Sequence, residues 1–134
     1  MRRAAFIYDD TLSRHVLRED HVMRPTRLRY TYELLDSYGA FREPNSRLVA
    51  PRLADADEVL WFHTRDYLDA VKGISRGESG FDSAAYNFSQ GGDNPPYEGM
   101  YQVALLSTGA SLVAAELLVK GEADVAFNAS GGLH

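Results

Sequence analysis

The chain has no cysteine in its 134 residues. Disulfides and thiolate metal sites are therefore excluded, and a metal would need His, Asp or Glu ligands. Excess positive charge is also missing. Fourteen Lys and Arg face 19 Asp and Glu, a formal net charge of −5, whereas a nucleic-acid binder needs a basic face. No uninterrupted apolar run approaches the ~18 residues of a membrane span. The opening Met1-Arg2-Arg3 and Ala4-Ala5-Phe6-Ile7-Tyr8 meet Asp9-Asp10 before a signal-type apolar region can develop. The sequence reads as a cytoplasmic protein with neither a nucleic-acid nor a membrane partner. Internal repeats and low-complexity segments are lacking too.

What is present is the balance of a globular domain: 45% apolar and 25% charged residues, enough for one core rather than a disordered chain. The charge is uneven. Residues 1–29 hold seven arginines against four acids, and the remainder is strongly acidic. This fits an ordinary surface; the sharper alternative is that some early arginines face a site.

Ala4 to Tyr8 is a short apolar run closed by two aspartates, the pattern of a buried strand. Pro25 opens a helix with Thr26 as its cap, and Leu28, Tyr32 and Leu35 fall on one face at i, i+4 and i+7. Gly39 ends it. Phe41 to Leu53, with Pro44 and Pro51, reads as a loop with little regular structure. Asp55 and Glu58 have capping-box spacing for a short helix through Phe62, and Thr64 to Tyr67 starts another that Gly73 to Gly80 breaks. After the turn-rich Gly91-Gly92-Asp93-Asn94-Pro95-Pro96, a helix of ~36 Å runs from about Tyr97 to Lys120. It is apolar on nearly every face from Val103 to Val119, as in a helix buried on several sides. Asp124 to Asn128 is a second strand, which empties into Ala129-Ser130-Gly131-Gly132-Leu133-His134. This order suits an α/β domain with a parallel sheet, whose ligands sit beyond the carboxyl ends of strands.

The candidate chemistry is concentrated at that last segment. Paired glycines let backbone approach a ligand, and an imidazole two residues on is an acid/base group. By itself the segment reads first as a glycine turn with a surface histidine. Arg27 lies in the first turn of its helix, where positive charge costs a few tenths to about 1 kcal/mol. Either it is solvated or it turns inward to carbonyls or an anion. Asp93 sits in a glycine/proline loop, where turn chemistry is the first reading and binding the second. His15, His21 and His63 have no metal-binding spacing, and His63 beside Trp61-Phe62 reads as a capping or packing residue.

Five segments in order resemble the histone deacetylase/acetoin-utilisation deacetylase superfamily. They are His21-Val22-Met23-Arg24-Pro25-Thr26-Arg27; Phe62-His63-Thr64-Arg65-Asp66-Tyr67-Leu68; Gly92-Asp93-Asn94-Pro95 with Glu98-Gly99; Ser107-Thr108-Gly109-Ala110-Ser111; and Ala126 to His134. The resemblance implies a three-layer α/β fold with a central parallel sheet, of which residues 1–134 would be the incomplete N-terminal part. It implies a metal-dependent deacetylase, usually with zinc, acting on acetyl-lysine or a small acetylated amine. By position, His134 would be the first of two tandem catalytic histidines and Asp93 the rim aspartate that holds the substrate backbone. Arg27, Gly131 and Gly132, with Tyr8, would line the acetate channel. The sequence departs from the pattern at Thr26, where many relatives carry His or Lys, and at Phe6, where some carry Tyr. The second histidine, the metal ligands and the oxyanion-stabilising tyrosine are absent, so this segment alone is expected to bind no zinc and to be inactive. The alternative is a non-catalytic binding protein retaining part of the fold.

Overall fold

The computed structural model describes residues 1–132. Three strands, β1 (Ala4–Ile7), β2 (Ser46–Val49) and β3 (Val125–Asn128), form one sheet in the order β2-β1-β3. Both pairings are parallel. Ala4 aligns with Ser46 and Val125, and Ile7 with Val49 and Asn128. Among the described residues the α-helices are α1 (Thr26–Ser37), α2 (Ala56–Val59), α3 (Arg65–Ser75) and α4 (Met100–Val119).

The central position of β1 explains its unbroken apolar run, because successive side chains point to opposite faces and both faces are covered. Ala5 and Ile7 pack with Ala110 and Leu117 of α4 and with Ala123. Phe6 and Tyr8 pack with Leu12 and Leu28, supported by Tyr32, Leu35 and Phe41. The sheet is thus sandwiched between α4 and α1, the three-layer arrangement expected. The apolar stripe read on α1 is the stripe that packs. Gly39 ends that helix with φ of 75°, and its N–H reaches the Asp36 carbonyl at 2.8 Å.

Three expectations need correction. Residues 41–53 are not featureless, since they contain β2. Its four residues give little periodicity, and Arg47 and Leu48 are exposed on a sheet edge. What defines β2 is pairing with a strand some forty residues earlier, with Tyr8 N–H donating to Val49 O at 3.0 Å. Second, Thr26 is not the α1 cap. Pro25 holds that position with helical backbone and no side-chain cap bond. Third, α4 is less buried than its composition suggests. Among its residues only Met100, Tyr101, Gly109, Ala110 and Leu117 are buried. By length and composition α4 could cross a membrane, yet its inner face lies on β1 and its Glu116 accepts from Arg52 at 2.7 Å.

The capping box at Asp55 forms, the Glu58 carboxylate accepting from the Asp55 N–H at 2.8 Å. The same carboxylate takes two bonds from Arg52, at 2.8 and 2.7 Å. This ties the loop after β2 to both α2 and α4. The Arg52 guanidinium, aided by the Asp55 N–H, lowers the Glu58 pKa from 4.5 to about 2. Arg3 lowers that of Asp124 from 3.8 to about 2. Both carboxylates are depressed in the folded state, so their stabilisation is complete above about pH 5 and is lost as pH falls toward about 2. Thermal midpoints measured across that window should fall with acidity, and Glu58→Gln should flatten the fall. Equal slopes in the two proteins would contradict this role of Glu58.

Candidate active-site cavity

The parallel strands end together, and the chain leaving β3 passes over α4. Asn128 fixes this exit from both ends of its amide. Its Nδ2 donates to Ser107 O at 3.2 Å and to Ser111 Oγ at 2.9 Å. Its Oδ1 accepts from Ser130 N–H at 2.9 Å and Ser130 Oγ at 2.6 Å. Ser107 Oγ donates in turn to the Ser130 carbonyl. Ser107 and Ser111 share one face of α4 because they are four residues apart. This network sets the path of Gly131 and Gly132. Asn128 can do this only because its amide presents both donors and an acceptor.

Beyond the network lies a cavity of about 430 Å³ with a mostly apolar wall. Met23, Arg27 and Leu28 face it from the start of α1, and Ser130, Gly131 and Gly132 from the exit of β3. His63, Tyr67, Asn94 and Tyr97 also line it. Burial pushes the Tyr97 hydroxyl up to about 12, so it stays a neutral phenol. His15 stacks on Tyr97 with 5.8 Å between ring centroids. Its Nδ1 has no hydrogen-bond partner among the described residues, and burial lowers its pKa.

The predicted site residues distribute as follows. Arg27, Gly131 and Gly132 share the cavity wall. Arg27 is exposed, with its Nη1 donating to Ala129 O at 3.5 Å and its Nε directed to Met23 Sδ at 3.1 Å. It therefore bridges the α1 start to the β3 exit. Asp93 is exposed on the loop that brings Asn94 to the cavity, and does not itself line the wall. Tyr8 is not on the cavity wall. It is buried on the α1 side of the sheet, its ring 4.9 Å from that of Tyr32. Its hydroxyl donates to Asp10 Oδ1 at 2.9 Å and pairs with Ser13 Oγ at 3.2 Å. His134 lies outside the described residues. His63 is exposed but packs on Tyr67, 5.1 Å between centroids, as a packing residue.

The sequence reading passed over two residues that build the rim. His21 is buried, at 4% exposure, and its Nδ1 accepts from Met23 N–H at 3.0 Å. The ring hydrogen therefore sits on Nε2, which donates to Asp93 O at 3.0 Å. Arg18 donates to Gln90 O at 2.7 Å and to Gly92 O at 3.0 Å. Neither gave a local signal, because their partners are backbone carbonyls more than seventy residues away. No group of three His, Asp or Glu side chains that could hold a metal occurs among the described residues.

A family model described as the histone deacetylase domain matches residues 21–134. Histone deacetylase 1 of Homo sapiens is 32% identical over 134 residues, covering 99% of this chain and 27% of that protein. Histone deacetylase 6 of Arabidopsis thaliana is 34% identical over 136 residues, covering 99% of the chain and 28% of its own length. Acetoin utilization protein AcuC of Bacillus subtilis (strain 168) is 34% identical over 134 residues, covering all of the chain and 34% of its own length. The chain spans 27–34% of the length of these relatives.

Proposed function

The chain belongs to the histone deacetylase family, and from that membership we propose that the whole protein hydrolyses the acetyl amide of an acetylated lysine or small acetylated amine. In this reaction water adds to the acetyl carbonyl, the C–N bond breaks, and acetate and the free amine leave. The observation that carries the reading is the one cavity shared by Arg27, Gly131 and Gly132, with the Asp93 loop at its rim. It lies beyond the carboxyl ends of parallel strands, where α/β sheets bind ligands.

Each residue then has a task. Asp93, exposed at the rim, accepts hydrogen bonds from the substrate backbone. The apolar wall excludes water from the side-chain stem of the substrate and strengthens polar contacts inside. Arg27 and the open backbone at Gly131 and Gly132 receive the departing acetate, whose charge a guanidinium complements. His134 holds and moves the proton of the attacking water.

The described residues do not fit a zinc site. Zinc dependence is proposed for the whole protein, with ligands in the two thirds or so of the relatives' length that this chain does not cover. The test is direct assay of acetate released from an Nε-acetyl-lysine peptide and from a monoacetylated diamine, together with metal analysis of the purified whole protein. Acetate appearing in step with free amine, and about one zinc per chain, is the expected result. A folded whole protein that releases acetate from neither substrate contradicts the proposal.

A further inference from the structure

The loop 89–94 closes on itself, Ser89 N–H donating to Asn94 O at 3.0 Å and Gly92 N–H to Ser89 O at 3.1 Å. Closure alone leaves the carbonyls of Gln90, Gly92 and Asp93 needing partners, and two adjacent glycines give the backbone wide freedom. All three carbonyls are taken by one short segment, residues 18–21. Arg18 takes Gln90 and Gly92, and His21 takes Asp93. Arg18 is itself held by the Asp20 carboxylate. His21 is held on its other nitrogen by Met23 N–H. Only Arg24 and Pro25 separate Met23 from α1, which carries Arg27 to the cavity wall. One continuous segment therefore grips the loop that carries Asp93 and leads into the helix that carries Arg27.

We infer that Arg18 and His21 are positioning residues that hold Asp93 at the rim, so that the grip on an extended acetylated peptide depends on them while the bond-breaking step does not. This rests on the reading of Asp93 as the group that holds the substrate backbone. The imidazole suits the position because it offers an acceptor and a donor on opposite edges of a rigid ring. Arg18 suits it because one planar guanidinium reaches two carbonyls and a carboxylate at once.

The experiment is steady-state kinetics of the whole protein on an acetyl-lysine peptide and on a monoacetylated diamine, which has no backbone to grip. The variants are Asp93→Ala, Arg18→Met, His21→Asn and His21→Gln. His21→Asn keeps an acceptor for Met23 N–H but withdraws the donor from Asp93 O. His21→Gln restores a donor at the Nε2 position. His21→Asn and Arg18→Met are expected to raise the peptide KM about five- to tenfold, with kcat within about twofold. His21→Gln should recover most of that loss, and the diamine kcat/KM should change by less than about twofold. If Asp93→Ala raises the peptide KM and neither Arg18→Met nor His21→Asn does, the inference fails while the reading of Asp93 stands. If Asp93→Ala has no effect, or the peptide is not turned over, both fall. Equal loss on both substrates would also overturn the inference, since it marks a general structural fault. Should His21→Asn not fold, the partly exposed Arg18→Met decides the matter alone.

Discussion

Gly109→Ala is expected to destabilise the protein by roughly 3 kcal/mol or more, the upper range for overpacking against an unyielding neighbour. A Cβ at Gly109 would stand 1.8 Å from Arg52 O and 2.8 Å from Ala54 N. These are backbone atoms, which cannot swing aside as a side chain can. The close approach has a purpose. It lets Ala54 N–H donate to the Leu105 carbonyl of α4 at 2.9 Å and brings Arg52 within reach of Glu116. Displacing residues 52–54 would break these bonds and loosen the path from β2 to α2. Gly91→Ala is the control, since its Cβ would meet nothing within 4 Å and its φ is not positive; it should cost less than about 0.5 kcal/mol. Denaturant midpoints of the two variants make the comparison. Similar values would mean that the helix and this loop do not pack as described.

That contact also shows why some of the protein was legible in its sequence and some was not. Local chemistry could be read directly: the apolar run of β1, the stripe on α1, Thr64 accepting from Tyr67 N–H at 3.3 Å to cap α3, and the Asp55–Glu58 box. β2 could not, because a four-residue edge strand between two prolines has no pattern of its own and exists through its register with β1. Ser107, Gly109 and Ser111 were visible as part of a family motif. Their separate reasons, a hydrogen-bonded strand exit and a backbone crossing, appear only when α4 is laid against segments fifty residues before it and twenty after. The half-exposed state of α4 was hidden for a similar reason, since composition states how apolar a helix is but not which faces are met. At the site, Arg27, Gly131 and Gly132 line one cavity. Tyr8 did not join them, because strand alternation turns it toward α1 and Tyr32 satisfies its ring. The supports of Asp93 were illegible because they are carbonyl contacts spanning more than seventy residues.

The second large effect concerns His134. The network around Asn128 constrains the β3 exit as far as Ser130, through bonds to Ser107, Ser111 and its own backbone. Gly131 and Gly132 continue from this fixed point along the cavity wall. The acid/base role proposed for His134 depends on hydrogen-bond reach to the reacting water. The direct measurement is kcat and KM for acetate release from an acetyl-lysine peptide by the whole protein and its His134→Ala variant. A fall in kcat of about 10²- to 10⁴-fold, with KM held within about threefold, is the result expected. A variant that still releases acetate within a few-fold of the unaltered rate would contradict it.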